Sequence, residues 1–155
     1  MSATTPAPDT RAIHATALVF GETGILIRGP SGSGKSGLAL AQDRNCFAGL
    51  VGDDRVIVEA RSGRLSARCA ANIEGLIERR GVGIVRAGGP KAALIRLVVD
   101  LPPRGEPAPR IACREGKTVE IAGVALPRMF LGGVASATER AYAVIEELDR
   151  TSRFI

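Results

Sequence analysis

The sequence predicts an α/β fold: a P-loop-containing mixed sheet with inserted β-hairpins and flanking helices. Three observations carry this. First, the apolar run at residues 24–28 feeds Gly29-Pro30-Ser31-Gly32-Ser33-Gly34-Lys35-Ser36, and a helix-like stretch, Gly37-Leu38-Ala39-Leu40-Ala41, follows. This is the phosphate-loop pattern G-x-x-x-x-G-K-[ST] in the strand–loop–helix order it requires. Second, most of the remaining chain reads as short apolar runs separated by Gly- and Pro-containing turns, the signature of strands. Third, residues 136–149 place Ala141, Val144, Ile145 and Leu148 on one helical face, opened by the capping-box pair Ser136 and Glu139. The order β-β-α, then strands, then a helix departs from regular βαβα alternation and argues for a mixed sheet.

The chain of 155 residues is long enough for one domain with a real core. The expected organisation is a disordered arm at residues 1–11 and a single catalytic domain at residues 12–155. Hydrophobic residues are 45% of the chain and aromatics only 3%, so Val, Ile, Leu and Ala must build the core. The net charge of +5 suits anionic ligands. It is spread along the chain with very few aromatic residues for stacking, which argues against nucleic-acid binding. Cys46, Cys69 and Cys113 show no C-x-x-C spacing, so reduced thiols are expected, with neither disulfide nor zinc site. The polar start lacks a basic region followed by an apolar run, and no stretch approaches the roughly 20 apolar residues of a membrane span. The expectation is a cytoplasmic protein.

Taken in order, residues 13–20 read as a first strand and residues 24–28 as a second. The phosphate loop and a helix from about Lys35 to Asp43 come next. Gly49-Leu50-Val51-Gly52-Asp53-Asp54 reads as a buried strand ending in two acids, and residues 55–60 continue extended. Arg61-Ser62-Gly63-Arg64 forms the turn of a hairpin whose return arm is residues 65–69. Residues 72–80 mix apolar and charged groups and suit loop or helix, and residues 81–85 look extended. Residues 92–101 form the strongest strand pattern. Four prolines within residues 102–109 make the next stretch loop. A second hairpin spans residues 118–131, turning at Ala122-Gly123.

The chemistry begins with the loop. Glycines let several backbone N–H groups converge on one anion, Lys35 supplies charge to the phosphates, and the Ser36 hydroxyl can ligate Mg²⁺. Such a site needs an acid near the metal and the reacting hydroxyl, usually at a strand end. Asp100 follows the better apolar run. Asp53-Asp54 offers two adjacent acids, which in extended chain point to opposite faces. One can then face Mg²⁺ while the other accepts a substrate proton. His14, the sole histidine, lies beside the phosphate-loop strand and is a further candidate.

Four pieces of the chain together resemble one family. They are Ile13-His14, the loop at residues 29–36, Leu50-Val51-Gly52-Asp53-Asp54, and Glu78-Arg79-Arg80-Gly81-Val82-Gly83-Ile84-Val85. In this order they resemble the catalytic domain of HPr kinase/phosphorylase, the bacterial enzyme that phosphorylates a serine of the phosphocarrier HPr. The last piece resembles the family's signature E-[IVR]-R-G-[LV]-G-[IL], and the likeness covers roughly residues 13–131. The resemblance implies an HPr kinase/PEP carboxykinase-like fold. It also implies ATP and Mg²⁺ as cofactors, and HPr or a paralogous phosphocarrier as partner. By the same likeness Gly29, Pro30, Ser31, Gly32, Ser33, Gly34, Lys35 and Ser36 bind the nucleotide, and Ser36 and Glu78 ligate Mg²⁺. Asp54 becomes the proton acceptor, His14 lies near the phosphates, and Arg110 completes the catalytic set. A homo-oligomer, hexameric in the family, is implied as well, and the phosphoryl donor is ATP or pyrophosphate.

The departures from the family matter too. The family's N-terminal domain has no counterpart in these residues, as in a short form of the enzyme. The family's Pro-Gly-Arg-Asn loop, linked to phosphorolysis, aligns with Leu131-Gly132-Gly133-Val134-Ala135-Ser136, which carries no basic residue. The expected activity is thus a protein-serine kinase with little reverse reaction. The rival expectations are a small-molecule phosphotransferase and a non-catalytic ATP-sensing module.

Overall fold

The computed structural model describes residues 9–20, 23–30, 32–35, 49–70, 76–79, 83–86, 91–103 and 118–131. The strands are β1 (Asp9–Ile13), β2 (Thr16–Phe20), β3 (Thr23–Arg28), β4 (Gly49–Gly52), β5 (Val56–Arg61) and β6 (Arg64–Cys69). They continue with β7 (Leu76–Arg79), β8 (Gly83–Arg86), β9 (Ala92–Asp100), β10 (Thr118–Ile121) and β11 (Val124–Phe130). β7 and β8 form a two-stranded sheet of their own, and the other nine strands form one mixed sheet. The expected helices after Lys35 and at residues 136–149 lie outside the described residues.

β9 organises the large sheet. Along one edge it pairs in parallel with β3, aligning Arg28 with Asp100. Along the other edge its first residues, Ala92 to Leu94, pair antiparallel with β6, and its last residues, Val98 to Asp100, pair in parallel with β11. On the far side of β3 come β2 and then β4, both contacts antiparallel. β3, β4, β9 and β11 therefore run the same way and β2 runs against them. Their C-terminal ends, and the start of β2, meet at one edge of the sheet.

The core follows from composition. Ile25, Leu26 and Ile27 of β3 and Leu97, Val98 and Val99 of β9 are all buried. Successive strand residues face opposite sides, so an unbroken buried run means both faces are covered, as expected for strands inside a sheet with parallel pairing. Each such side chain contributes about 1.5–3 kcal/mol by leaving water.

Both inserted hairpins are present. β5–β6 closes through Ser62 (φ 53°) and Gly63 (φ 74°), and β10–β11 through Ala122 (φ 51°) and Gly123 (φ 82°). Positive φ at both central residues marks type I′ turns, whose twist matches that of the flanking strands.

Three expectations are corrected. Asp9-Thr10-Arg11, placed in the disordered arm, belong to β1, which pairs with β5 along its whole length. Pairing rather than local composition orders this exposed polar segment. The single strand at residues 13–20 is broken at His14-Ala15, between β1 and β2. Residues 76–79, read as loop or helix, form β7, which pairs antiparallel with β8. Among the described residues, no helix is long and apolar enough to cross a membrane.

Candidate active site

One long antiparallel ladder builds the site. β1 and β2 run alongside β5 and β4: Ile13 faces Val56 in one register and Ala17 faces Gly52 in the other. Between these pairs both chains leave the ladder, His14-Ala15 on one side and Asp53-Asp54-Arg55 on the other. The interruption stays aligned. The amide of Ala15 donates to the Asp54 carbonyl at 3.1 Å.

The acid segment is a tight turn. Arg55 N donates to the Asp53 carbonyl at 2.7 Å, around an Asp54 whose φ is 66°. An i→i+2 bond about a positive-φ residue is the strained form of the γ-turn, and such strain concentrates at functional sites. The turn separates the two carboxylates. Asp53 is buried and accepts a hydrogen bond from Thr16 Oγ1 at 2.7 Å. Asp54 leaves its side chain 75% exposed, and its Oδ1 stands 3.3 Å from His14 Nδ1. The two acids diverge as expected, but through a turn and not through strand alternation.

The glycine-rich loop starts where β3 ends, at the same sheet edge. Ser33 N donates to the Pro30 carbonyl at 3.1 Å, and Gly32 and Gly34 hold φ of 81° and 102°. Glycine accepts such dihedrals without strain, and backbones of this kind form anion-binding concavities. At Gly29 the space itself demands glycine, since a Cβ there would lie 2.6 Å from both the Leu101 carbonyl oxygen and Ser33 Oγ. Lys35 is buried, and its Nζ donates to the carbonyls of Gly29 at 2.7 Å and Pro30 at 3.1 Å. Burial lowers the Lys35 pKa, while the charges of Asp54 and then Asp53 pull it back up. The cation and the acid pair therefore sense one another across the sheet edge. The residues present fit a phosphate-bearing ligand: a glycine cradle, a buried cation facing it, and a carboxylate nearby.

The structure thus brings Gly29, Pro30, Gly32, Ser33, Gly34, Lys35, Asp54 and His14 to one edge. Ser31, Ser36 and Arg110 lie outside the described residues. Of Glu78 only the backbone is described, in β7 opposite Ile84. Among the described residues, no cluster of three or more His, Cys, Asp or Glu is placed to hold a metal ion.

Asp100, the rival acid, is occupied otherwise. Arg28 Nε donates to its Oδ1 and Nη2 to its Oδ2, both at 2.8 Å, and Arg128 Nε lies 2.7 Å from Oδ2 as a further ion pair. The Arg128 guanidinium also lies 4.1 Å from the centroid of the Phe130 ring, within cation–π range. Sequence reasoning passed over Thr16, whose hydroxyl in an otherwise apolar strand was its one signal.

Comparisons with known proteins agree on one family. The family described as HPr Serine kinase C-terminal domain matches residues 7–145. The HPr kinase/phosphorylase of Mycoplasma mycoides subsp. mycoides SC is 36% identical over 95 residues, which are 57% of this chain and 30% of that protein. The match thus takes in under a third of that curated relative's length. The solved HPr(Ser) kinase/phosphatase from Coxiella burnetii shares the fold, with a TM-score of 0.72 at 25% identity, over 93% of this chain and 91% of that one.

Proposed function

Because the chain belongs to the HPr serine kinase C-terminal domain family, we propose that it is an ATP- and Mg²⁺-dependent protein-serine kinase acting on HPr or a paralogous phosphocarrier. The observation that carries this reading is the meeting of Lys35 and Asp54 at the C-terminal edge of the sheet, one buried beside the glycine-rich loop and the other exposed.

In this reading the β- and γ-phosphates lie in the cradle from Gly29 to Ser36. Lys35 exchanges the Gly29 and Pro30 carbonyls for phosphate oxygens and neutralises charge there. The serine oxygen attacks the γ-phosphorus, the bond to the ADP oxygen breaks, and Asp54 accepts the serine proton. His14, facing Asp54 through Nδ1, orients that carboxylate. Ser36 and Glu78 are the residues that would hold Mg²⁺, which supplies charge neutralisation at the phosphates when bound. Arg110 would add positive charge as the phosphoryl group moves.

Reverse phosphorolysis is expected to be weak, because residues 131–136 carry no basic side chain. The deciding experiment incubates the chain with ATP, Mg²⁺ and purified HPr. Phosphoserine on HPr is the expected product. Its absence with HPr and with paralogous carriers would overturn the proposal.

A further inference from the structure

Three consecutive residues that lead into β2 each hold one part of the acid turn. His14 Nδ1 stands 3.3 Å from the Asp54 carboxylate, Ala15 N donates to the Asp54 carbonyl at 3.1 Å, and Thr16 Oγ1 donates to the Asp53 carboxylate at 2.7 Å. The first contact is exposed and the third is buried, with Thr16 at 0% and Asp53 at 6% exposure. A lone exposed His–Asp pair is weak and easily exchanged for water. A buried hydroxyl–carboxylate bond is stronger and more directional.

We propose that Thr16 is a positioning residue: through Asp53 it fixes the strained turn that aims the Asp54 carboxylate at the substrate hydroxyl. The proposal rests on the kinase reading for its catalytic consequence, and on geometry alone for the placement of Asp54. Asp53 and Asp54 share a peptide unit, and the Arg55 N–H holds the Asp53 carbonyl at 2.7 Å. With the Asp53 side chain anchored on Thr16 and the Asp54 carbonyl anchored on Ala15, Asp54 has little freedom left but its own side-chain rotation. Its φ of 66° is unfavourable for a free aspartate, so the turn persists only where its surroundings hold it. Removing the anchor lets the turn relax and the carboxylate swing away from its working position.

The test uses Thr16→Val, which keeps the shape and loses the hydroxyl, and Thr16→Ser, which keeps the hydroxyl. Two readouts are taken. The first is kcat and KM for ATP in HPr phosphorylation. The second is the ring resonance of His14, the only histidine in the chain, recorded at one fixed pH in each variant and in Asp54→Asn. Thr16→Val is expected to lower kcat roughly 10- to 100-fold with little change in KM for ATP, the cost of a displaced catalytic group. It should also move the His14 resonance in the same direction as Asp54→Asn does. Thr16→Ser should restore both.

A His14 resonance that Asp54→Asn moves and Thr16→Val leaves at the wild-type position would overturn the inference. So would a resonance that Asp54→Asn leaves unmoved. If the wild-type chain phosphorylates nothing, the kinase reading fails alone, and the resonances still decide where Asp54 is held. Should Thr16→Val fail to fold, Thr16→Val/Asp53→Asn read against Asp53→Asn removes the hydroxyl in a background with no buried carboxylate charge at position 53, and the same outcomes apply.

Discussion

Two acids end strands at the same edge of the sheet and meet opposite fates. Asp100 closes β9, the longest strand, and its carboxylate lies between Arg28 at the end of β3 and Arg128 in β11. Its side chain is 14% exposed. Asp54, the second acid of the pair that follows β4, sits on a strained turn and exposes its carboxylate beside one imidazole. Apolar context favours Asp100 as the functional acid. Topology reverses that choice, because β3 and β11 flank β9 and bring arginines to it. A carboxylate that accepts two hydrogen bonds from Arg28 and pairs its charge with Arg128 as well is held as their counter-ion and has little capacity left for a substrate proton. The first acid ties three strands together, and the second is left exposed.

The largest expected effect breaks the pair on its reactive side. Asp54→Asn should lower phosphotransfer to HPr by about 10²–10⁴-fold, the usual worth of a general base. Its urea midpoint should stay near wild type, since the side chain is exposed and Asn tolerates positive φ as well as Asp does. Asp100→Asn should do the converse. It leaves Arg28 and Arg128 adjacent with no anion between them, and we expect a loss of about 1–3 kcal/mol in urea unfolding. Phosphotransfer by the folded fraction should fall far less than in Asp54→Asn. Equal activity losses in the two variants would dissolve the distinction.

A smaller effect asks whether the arginine clamp reaches the loop. Leu101 N donates to the Arg28 carbonyl at 2.8 Å, so the chain just after Asp100 runs against the chain just before Gly29. The Leu101 carbonyl is one of the atoms that a Cβ at Gly29 would strike. Gly29→Ala should push the loop off the end of β9 and weaken ATP binding by about tenfold, the equivalent of 1.4 kcal/mol, as read by calorimetry. Unchanged affinity would mean that the clamp serves the sheet alone.

Much of this was legible in the residues. The loop, the acid pair, the β3 and β9 runs and both hairpin turns declare themselves through local pattern, because glycine dihedrals and apolar runs are local properties. The fate of each acid is not local. Arg28, Asp100 and Arg128 meet only because β3, β9 and β11 are neighbours in the sheet. Thr16 reaches Asp53 only because two segments some 37 positions apart pair in one register. Asp9-Thr10-Arg11, the first three residues of β1, are exposed and polar, with nothing in their own composition to mark a strand, and their order comes from β5. Tertiary pairing overrides propensity in such segments.

Lys35 separates the two acids by charge alone, and its effect is the smallest. Burial holds its pKa below the ordinary 10.5, against the pull of Asp54 and Asp53. Between the lowered folded value and 10.5 the unfolded chain binds more protons than the folded one, so stability must rise with pH across that window. Below the folded value the cost of burying the cation is fully present. Urea unfolding followed through the alkaline range up to 10.5 should show this rise in wild type and lose it in Lys35→Met. Asp54→Asn removes a charge that supports the ammonium, so it should lower the folded pKa further and start the rise at lower pH. Asp100, whose charge is taken up by its arginines, should leave the onset where it is when changed to Asn. A rise that moves with Asp100→Asn and not with Asp54→Asn would assign the loop's electrostatic partner to the wrong strand.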